Sequence, residues 1–149
     1  MRVVIQRCNK GSVEVNNEIR KIDKGLVVFI AMTDGDSEKE INYLIKKISN
    51  LRIFEDNDNK MNYSIQDING SALLVSQFTL YANTKDGNRP SFTDSMNYDN
   101  AKKLYNMFID NFKETNIPFK TGEFGADMKV NIENDGPVTI IIDTKENLK

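Results

Sequence analysis

The 149 residues suit one compact domain, and a chain of this length buries roughly two-thirds of its unfolded surface without needing staples. Hydrophobic residues make up 39% and charged residues 28%, and the net charge of −2 leaves no global basic field to hold a long duplex such as DNA. The single cysteine excludes an intrachain disulfide framework, and the absence of histidine excludes a Ser-His-Asp triad, a Cys-His dyad and any His-ligated metal.

Proton chemistry near neutral pH must therefore come from a carboxylate, a lysine, a backbone group, water or the substrate itself. No apolar run approaches the ~18–20 residues of a membrane span, and Met1-Arg2-Val3-Val4-Ile5 lacks the apolar core of a signal peptide. A reducing cytoplasm is the expected setting. There is no low-complexity stretch, linker or internal repeat, so residues 1–149 are expected to form a single domain.

Val3-Val4-Ile5 opens the chain as a strand, and Ser12-Val13-Glu14-Val15 alternates at period 2 into a hairpin turn at Asn16-Asn17. Leu26 to Met32 is continuously apolar, the pattern of a strand covered on both faces. Ser37 and Glu40 form a capping box, and Ile41, Leu44, Ile45, Ile48 and Leu51 follow at helical spacing. Arg52–Glu55 returns to extended chain, with a loop at Asp56-Asn57-Asp58-Asn59. Ala72 to Tyr81 is predicted as the longest strand. Asn97 caps a second helix carrying Tyr98, Ala101, Leu104, Tyr105, Phe108 and Phe112 on its core face. Met128 to Glu133 reads as a half-exposed strand, Asp135-Gly136-Pro137 breaks it, and Val138 to Ile142 reads as a buried one, with a polar tail from Lys145 to Lys149. About seven strands with helices between groups of them predict an α/β fold of α+β type. Mixed, largely antiparallel sheets form a barrel-like core, with two helices packed on one side.

Three segments carry possible chemistry. Ser76-Gln77-Phe78-Thr79 puts hydroxyls and an amide inside an apolar strand. They either hydrogen-bond to neighbouring backbone or line a pocket opening at the strand end. Asn134-Asp135-Gly136-Pro137-Val138-Thr139 is either a plain turn or a segment with an orienting cis peptide. Gly87-Asn88-Arg89-Pro90 offers one arginine to phosphate or to solvent. Cys8 has no histidine to activate it and reads as structural; Asp56 and Asp58 read as a solvated acidic turn rather than a metal site.

Together these segments resemble the D-aminoacyl-tRNA deacylase (D-tyrosyl-tRNA(Tyr) deacylase) family over essentially the whole chain. The resemblance runs through Met1–Arg7, Leu51–Asp56, Lys60-Met61-Asn62, Ser76–Leu80, Arg89–Phe92, Gly122–Met128 and Asn134–Thr139. It implies a homodimer that cleaves the ester joining a D-amino acid, or glycine, to the terminal adenosine of tRNA, with the site at the dimer interface. It implies no cofactor and no metal. The family's catalytic strand corresponds to Ser76, Gln77, Phe78 and Thr79. Gly136 and Pro137 would form a cis motif entering the partner's pocket to hold the α-amino group and exclude an L side chain, supported by Arg7. Asn134, Met128 and Phe124 complete the expected substrate-binding set. The family is viewed as using the substrate's 2′-hydroxyl, with backbone groups near Phe78 and Thr79 stabilising the oxyanion, which gives Thr79 a positioning role.

The chain departs from the family pattern at Cys8, where valine is usual, at Ala31, where glycine is common, and at Asn59, where glycine is frequent. These departures are expected to touch local packing only. Lys85, Arg89, Lys102 and Lys103 are candidate contacts to the tRNA acceptor end. The alternative reading from another class is a non-catalytic tRNA- or small-molecule-binding domain on the same fold.

Overall fold

In the computed structural model, which describes residues 1–148, the strand β1 (Arg2–Val15) runs through the middle of the fold. Its alternation sustains it: Val3, Ile5, Val13 and Val15 are buried, while Val4 and Gln6 are half-buried and Glu14 is exposed. Asn16 and Asn17, with φ of 51° and 59°, make the expected hairpin turn into β2 (Glu18–Ile22). The apolar run becomes β3 (Gly25–Ala31), antiparallel to β1. β3 pairs parallel with β6 (Ser71–Ser76), and β6 pairs parallel with β7 (Phe119–Thr121). This junction needs glycine, since a Cβ on Gly25 would stand 1.7 Å from the Ser71 carbonyl oxygen. The other edge of β1 carries β8 (Lys129–Asp143), antiparallel.

These strands form one mixed, mainly antiparallel sheet in the order β2-β1-β3-β6-β7, with β8 against β1. Arg20 of β2 brings its ends together by donating to the carbonyls of Thr121 (3.0 Å) and Gly122 (3.3 Å), so the sheet is nearly closed and barrel-like. A separate ribbon pairs β4 (Phe54–Glu55) with β5 (Met61–Tyr63).

The helix α1 (Glu38–Asn50) begins at the predicted capping box, with Ser37 and Glu40 satisfying each other's backbone donors. It stops at Asn50, so Leu51 is its C-cap rather than part of its apolar stripe. The helix α2 (Tyr98–Lys113) is capped by Asn97, whose side chain accepts from the Asn100 N–H at 3.0 Å. Both helices lie on one face of the sheet, with Ile41, Leu44, Ile48, Tyr105, Phe108 and Phe112 packed against Val3, Ile5, Leu26, Val28, Ile30 and Leu74. Each large apolar side chain so buried contributes roughly 1.5–3 kcal/mol. A smaller cluster of Cys8, Val13, Ile22, Val27, Leu73 and Val75 fills the opposite face.

Four expectations change. First, the strand predicted over Ala72–Tyr81 ends at Ser76. Its partner β3 ends at Ala31, the last ladder pair being Ile30 with Ser76, so the chain has no neighbour to follow and turns into a 3₁₀ turn at Phe78–Tyr81. Second, Met128–Glu133 and Val138–Ile142 belong to one paired segment, because Asp135-Gly136-Pro137 is absorbed as a bulge within β8. Third, Tyr98 is not core: it opens α2 beyond the edge of the sheet and is 56% exposed. Fourth, Thr144–Asn147 (α3) is a helical turn capped by Asp143 rather than plain tail; Lys149 lies outside the described residues.

Candidate active site

Where β6 gives out, an apolar cavity of about 320 Å³ opens, lined by Ile30, Ala31, Ser76, Phe78, Tyr98 and Phe124 among others. Phe124 stands between two tyrosines, with ring centroids 5.2 Å from Tyr98 and 5.5 Å from Tyr105. The Tyr105 hydroxyl is buried and donates to the Leu74 carbonyl at 3.0 Å, and burial raises its pKa. Phe78 projects into the mouth, 58% exposed and edge-on to Phe92 at 5.2 Å.

The turn after Ser76 sets the polar side of this mouth. The Gln77 N–H is held by the Ile30 carbonyl at 2.8 Å, continuing the direction of β6 for one more bond. The first bond within the turn is Leu80 N–H to the Gln77 carbonyl at 3.2 Å. The N–H groups of Phe78 and Thr79 therefore precede the turn's own bonding and have no acceptor inside it. Two amides in succession at the start of a turn suit an oxygen that gains negative charge. The Thr79 hydroxyl accepts from the Gln77 side-chain amide. An amide N–H donor cannot take a proton from that hydroxyl, so Thr79 is not set up as an activated nucleophile.

The second group of predicted residues sits on the bulge of β8. Opposite it, the two steps from Gln6 to Cys8 along β1 are matched by five steps, Thr139 to Asn134, along β8. The surplus backbone arches out and leaves Gly136 and Pro137 exposed, with the peptide between them cis, as expected from the resemblance. Proline is tolerated because a bulged residue owes the ladder no N–H. Asn134 spans the arch with its side chain, Oδ1 accepting from the Val138 N–H (3.0 Å) and Nδ2 donating to Thr139 Oγ1 (3.2 Å).

Arg7 lies beneath the arch and is 4% exposed. Its Nε donates to the Asp135 carbonyl (3.1 Å) and its Nη1 to the Ile53 carbonyl (2.8 Å), with Asp135 Oδ2 at 3.3 Å. Gly136 has φ +128°, and a Cβ there would come within 2.8 Å of Val138 Cγ2 and 3.1 Å of Arg7 Nη2.

Of the predicted site residues, the cavity thus gathers Ser76, Phe78 and Phe124, with Gln77 and Thr79 on the same turn. Arg7, Asn134, Gly136 and Pro137 form the arch and do not line that cavity. Met128 belongs to neither: it packs on the smaller cluster, and its sulfur accepts from the Glu123 N–H at 3.3 Å. Sequence reasoning missed Ile30, Met32, Met96 and Gly125 as cavity lining. Only their position at or beyond the end of the β3–β6 ladder marks them, and that is a tertiary fact.

A sequence model of D-Tyr-tRNA(Tyr) deacylases matches residues 4–143. The chain is 53% identical to a D-aminoacyl-tRNA deacylase of Thermosipho melanesiensis, over 98% of this chain and 99% of that one. It is 54% identical to one of Fusobacterium nucleatum over the full length of both. The chain belongs to the D-Tyr-tRNA(Tyr) deacylase family. Among solved structures it is similar to a c-Myc DNA unwinding element binding protein, with a TM-score of 0.89 and 38% identity, covering 96% of this chain and 98% of the other. A structure described as a probable eukaryotic D-amino acid tRNA deacylase shares the fold, with a TM-score of 0.82 at 20% identity over 95% and 97% of the two chains.

Against this family the three departures can now be placed. Cys8 is fully buried, and burial pushes its thiol up to about 11, so it packs and does not react. Asn59 has φ 58°, a left-handed conformation that asparagine tolerates where glycine is otherwise used. Ala31 is different. It lines the cavity, so the expectation that the departures touch only packing is corrected there. The Asp56 carboxylate is held below its usual range by the N–H of Lys60, then those of Asp58 and the Asn62 amide; it organises its own loop. Lys85 and Arg89 lie in an exposed loop clasped by Asn83 and Ser91, and Lys102 and Lys103 are exposed on α2. No described helix is long and apolar enough to cross a membrane.

Proposed function

We propose that this protein hydrolyses the ester of D-aminoacyl-tRNA, releasing a free D-amino acid and tRNA, and that it works as a homodimer with each site built from two chains. The observation that carries the reading is the cavity at the end of β6, apolar and aromatic, with Phe78 on its lining at the start of a turn whose own bonding begins only after the amides of Phe78 and Thr79. Phe78, Tyr98 and Phe124 suit the flat base of the terminal adenosine, since base–aromatic stacking contributes about 1–3 kcal/mol. Water attacks the ester carbonyl carbon, and the two amides hold the resulting oxyanion. The tetrahedral intermediate collapses by expelling the ribose oxygen, which takes up a proton. With no histidine in the chain, the neighbouring 2′-hydroxyl of the substrate is the proton relay.

This cavity lacks a group for the α-amino end. The arch of β8 exposes Gly136 and Pro137, each with a backbone carbonyl to offer, but none of its residues lines the cavity of its own chain. A second copy brings arch and cavity together. The surface that would pair is the outer side of the central strands. There Val4 and Phe29 are only half-buried, and Ile141, beside Val4 in the register, is 67% exposed. A rigid arch rejects an L side chain by clash, whereas apolar contact gains little from each extra group, so selection works by exclusion. Glycine has no side chain to exclude, so glycyl-tRNA mischarged on tRNA(Ala) is a second substrate. Holding only the acceptor end is compatible with a net charge of −2, and Lys85, Arg89, Lys102 and Lys103 are the cations to engage it. This chemistry operates in the cytoplasm.

The test is direct. Purified protein is mixed with D-Tyr-tRNA and, separately, L-Tyr-tRNA, and ester loss is followed. Rapid loss of the D-ester alone is expected. Loss of both rejects the exclusion argument, and loss of neither from a folded dimer moves the assignment to a tRNA- or small-molecule-binding domain.

A further inference from the structure

We propose that Arg2 is a positioning residue for this reaction, locking the Phe78–Tyr81 turn to the end of β8 so that the two oxyanion-binding amides keep their place. The inference rests on the reading of the site given above. Arg2 stands at the start of β1, far in sequence from the Phe78–Tyr81 turn. Its guanidinium nonetheless meets three groups at once. Nη1 donates to the Leu80 carbonyl at 2.7 Å. Nε and Nη2 both reach Asp143 Oδ2, at 2.9 and 2.8 Å. The carbon of the guanidinium lies 4.7 Å from the centroid of the Tyr81 ring, which is 6% exposed.

Each contact has a consequence for the turn. The Leu80 carbonyl is not used by the bonds that tie the turn to its flanks, Leu80 N–H to Gln77 and Ala82 N–H to Thr79. Arg2 therefore fixes the half of the turn that its internal bonding leaves free. At its other end the turn is tied by the Gln77 N–H on Ile30 and by Ser95 Oγ on the Phe78 carbonyl at 3.0 Å. Asp143 pairs opposite Arg2 in the β1–β8 register and also caps α3 through the Lys145 N–H at 2.9 Å. Its carboxylate is thus held from both sides and gives Arg2 a fixed anchor. The forked, planar cation serves a carbonyl and a carboxylate in one geometry, which an ammonium cannot do.

The experiment compares Arg2→Met and Arg2→Lys with the wild-type chain on D-Tyr-tRNA, alongside amide hydrogen exchange over residues 77–82. For Arg2→Met, kcat is expected to fall roughly tenfold, as displaced amides lose the developing charge, with KM moving less than about twofold. Exchange over 77–82 is expected to quicken while the rest of the sheet is unchanged. Arg2→Lys recovers part of kcat by keeping one of the two bonds. A folded Arg2→Met protein whose kcat and exchange match the wild type overturns the proposal. So does one that melts earlier but turns over at the wild-type rate, since that role is structural only. If Arg2→Met does not fold, the same two readouts on Arg2→Lys decide. A wild-type chain inactive on both esters would sink the reading of the site, while exchange at 77–82 would still decide whether Arg2 holds the turn.

Discussion

Arg7→Met isolates what the buried guanidinium does, because methionine keeps most of the stem and removes the charge. The side chain is 4% exposed, so its partners cannot turn to water in its absence. Its ion pairs contribute little: Asp135 and Glu55 are 37% and 50% exposed, at 3.3 and 3.7 Å, and such screened pairs contribute about 0–1 kcal/mol. The bonds to the carbonyls of Ile53 and Asp135 carry more, at roughly 1.5–3 kcal/mol each for a charged donor. Their joint loss is about 3–6 kcal/mol, and at roughly 2–4 °C per kcal/mol the melting temperature falls by about 10 °C. The arch then loses its tie at Asp135, immediately before Gly136. The rate ratio between D-Tyr-tRNA and L-Tyr-tRNA is expected to fall with it. Thermal melts read by circular dichroism, run beside both hydrolysis assays, measure the two effects. A variant that melts within about 2 °C of the wild type refutes the energetic reasoning. One that loses stability but keeps the full D-over-L ratio refutes the link between Arg7 and chiral selection.

Two further outcomes follow from burial and exposure. Ile141→Asp puts a charge on the bare outer face at a position 67% exposed in the single chain, so the fold is retained while the dimer comes apart. Light scattering should report a monomer that has lost D-ester hydrolysis; an intact dimer, or a fully active monomer, would contradict the shared site. Cys8 should resist Ellman's reagent at pH 8, because burial raises its thiol to about 11. Between its ordinary value of 9.0 and about 11 the folded chain keeps a proton that the unfolded chain releases. Stability from this group is complete below the lower value and declines as pH rises through that window. Rapid labelling of the folded protein would show that the thiol is not buried.

What was legible in the sequence was local. The capping box at Ser37 and Glu40, the Asn16-Asn17 turn and the apolar β3 run depend on near neighbours, and each stands where expected. The continuation of β6 to Tyr81 fails for a tertiary reason: apolar residues run on to Tyr81, but the ladder partner ends at Ala31. Taken locally, Asp135-Gly136-Pro137 reads as a strand end. β1 pairs on both sides of it, so the same residues became an arch. Tyr98 has helical spacing like Tyr105, yet a periodic pattern does not reveal that the first turn of α2 overhangs a cavity. The short strands β5 and β7, three residues each, carry too few residues for a period to register.

A site split between two chains is tested most directly by complementation. Gly136→Val spoils the arch, since even a Cβ would lie 2.8 Å from Val138 Cγ2, and Ala101→Trp fills the cavity. Each homodimer should be inactive on D-Tyr-tRNA. A heterodimer of the two, isolated through different affinity tags, has one intact cavity facing one intact arch, and should recover about half the wild-type rate. A heterodimer as inactive as its parents would mean that cavity and arch act within the same chain.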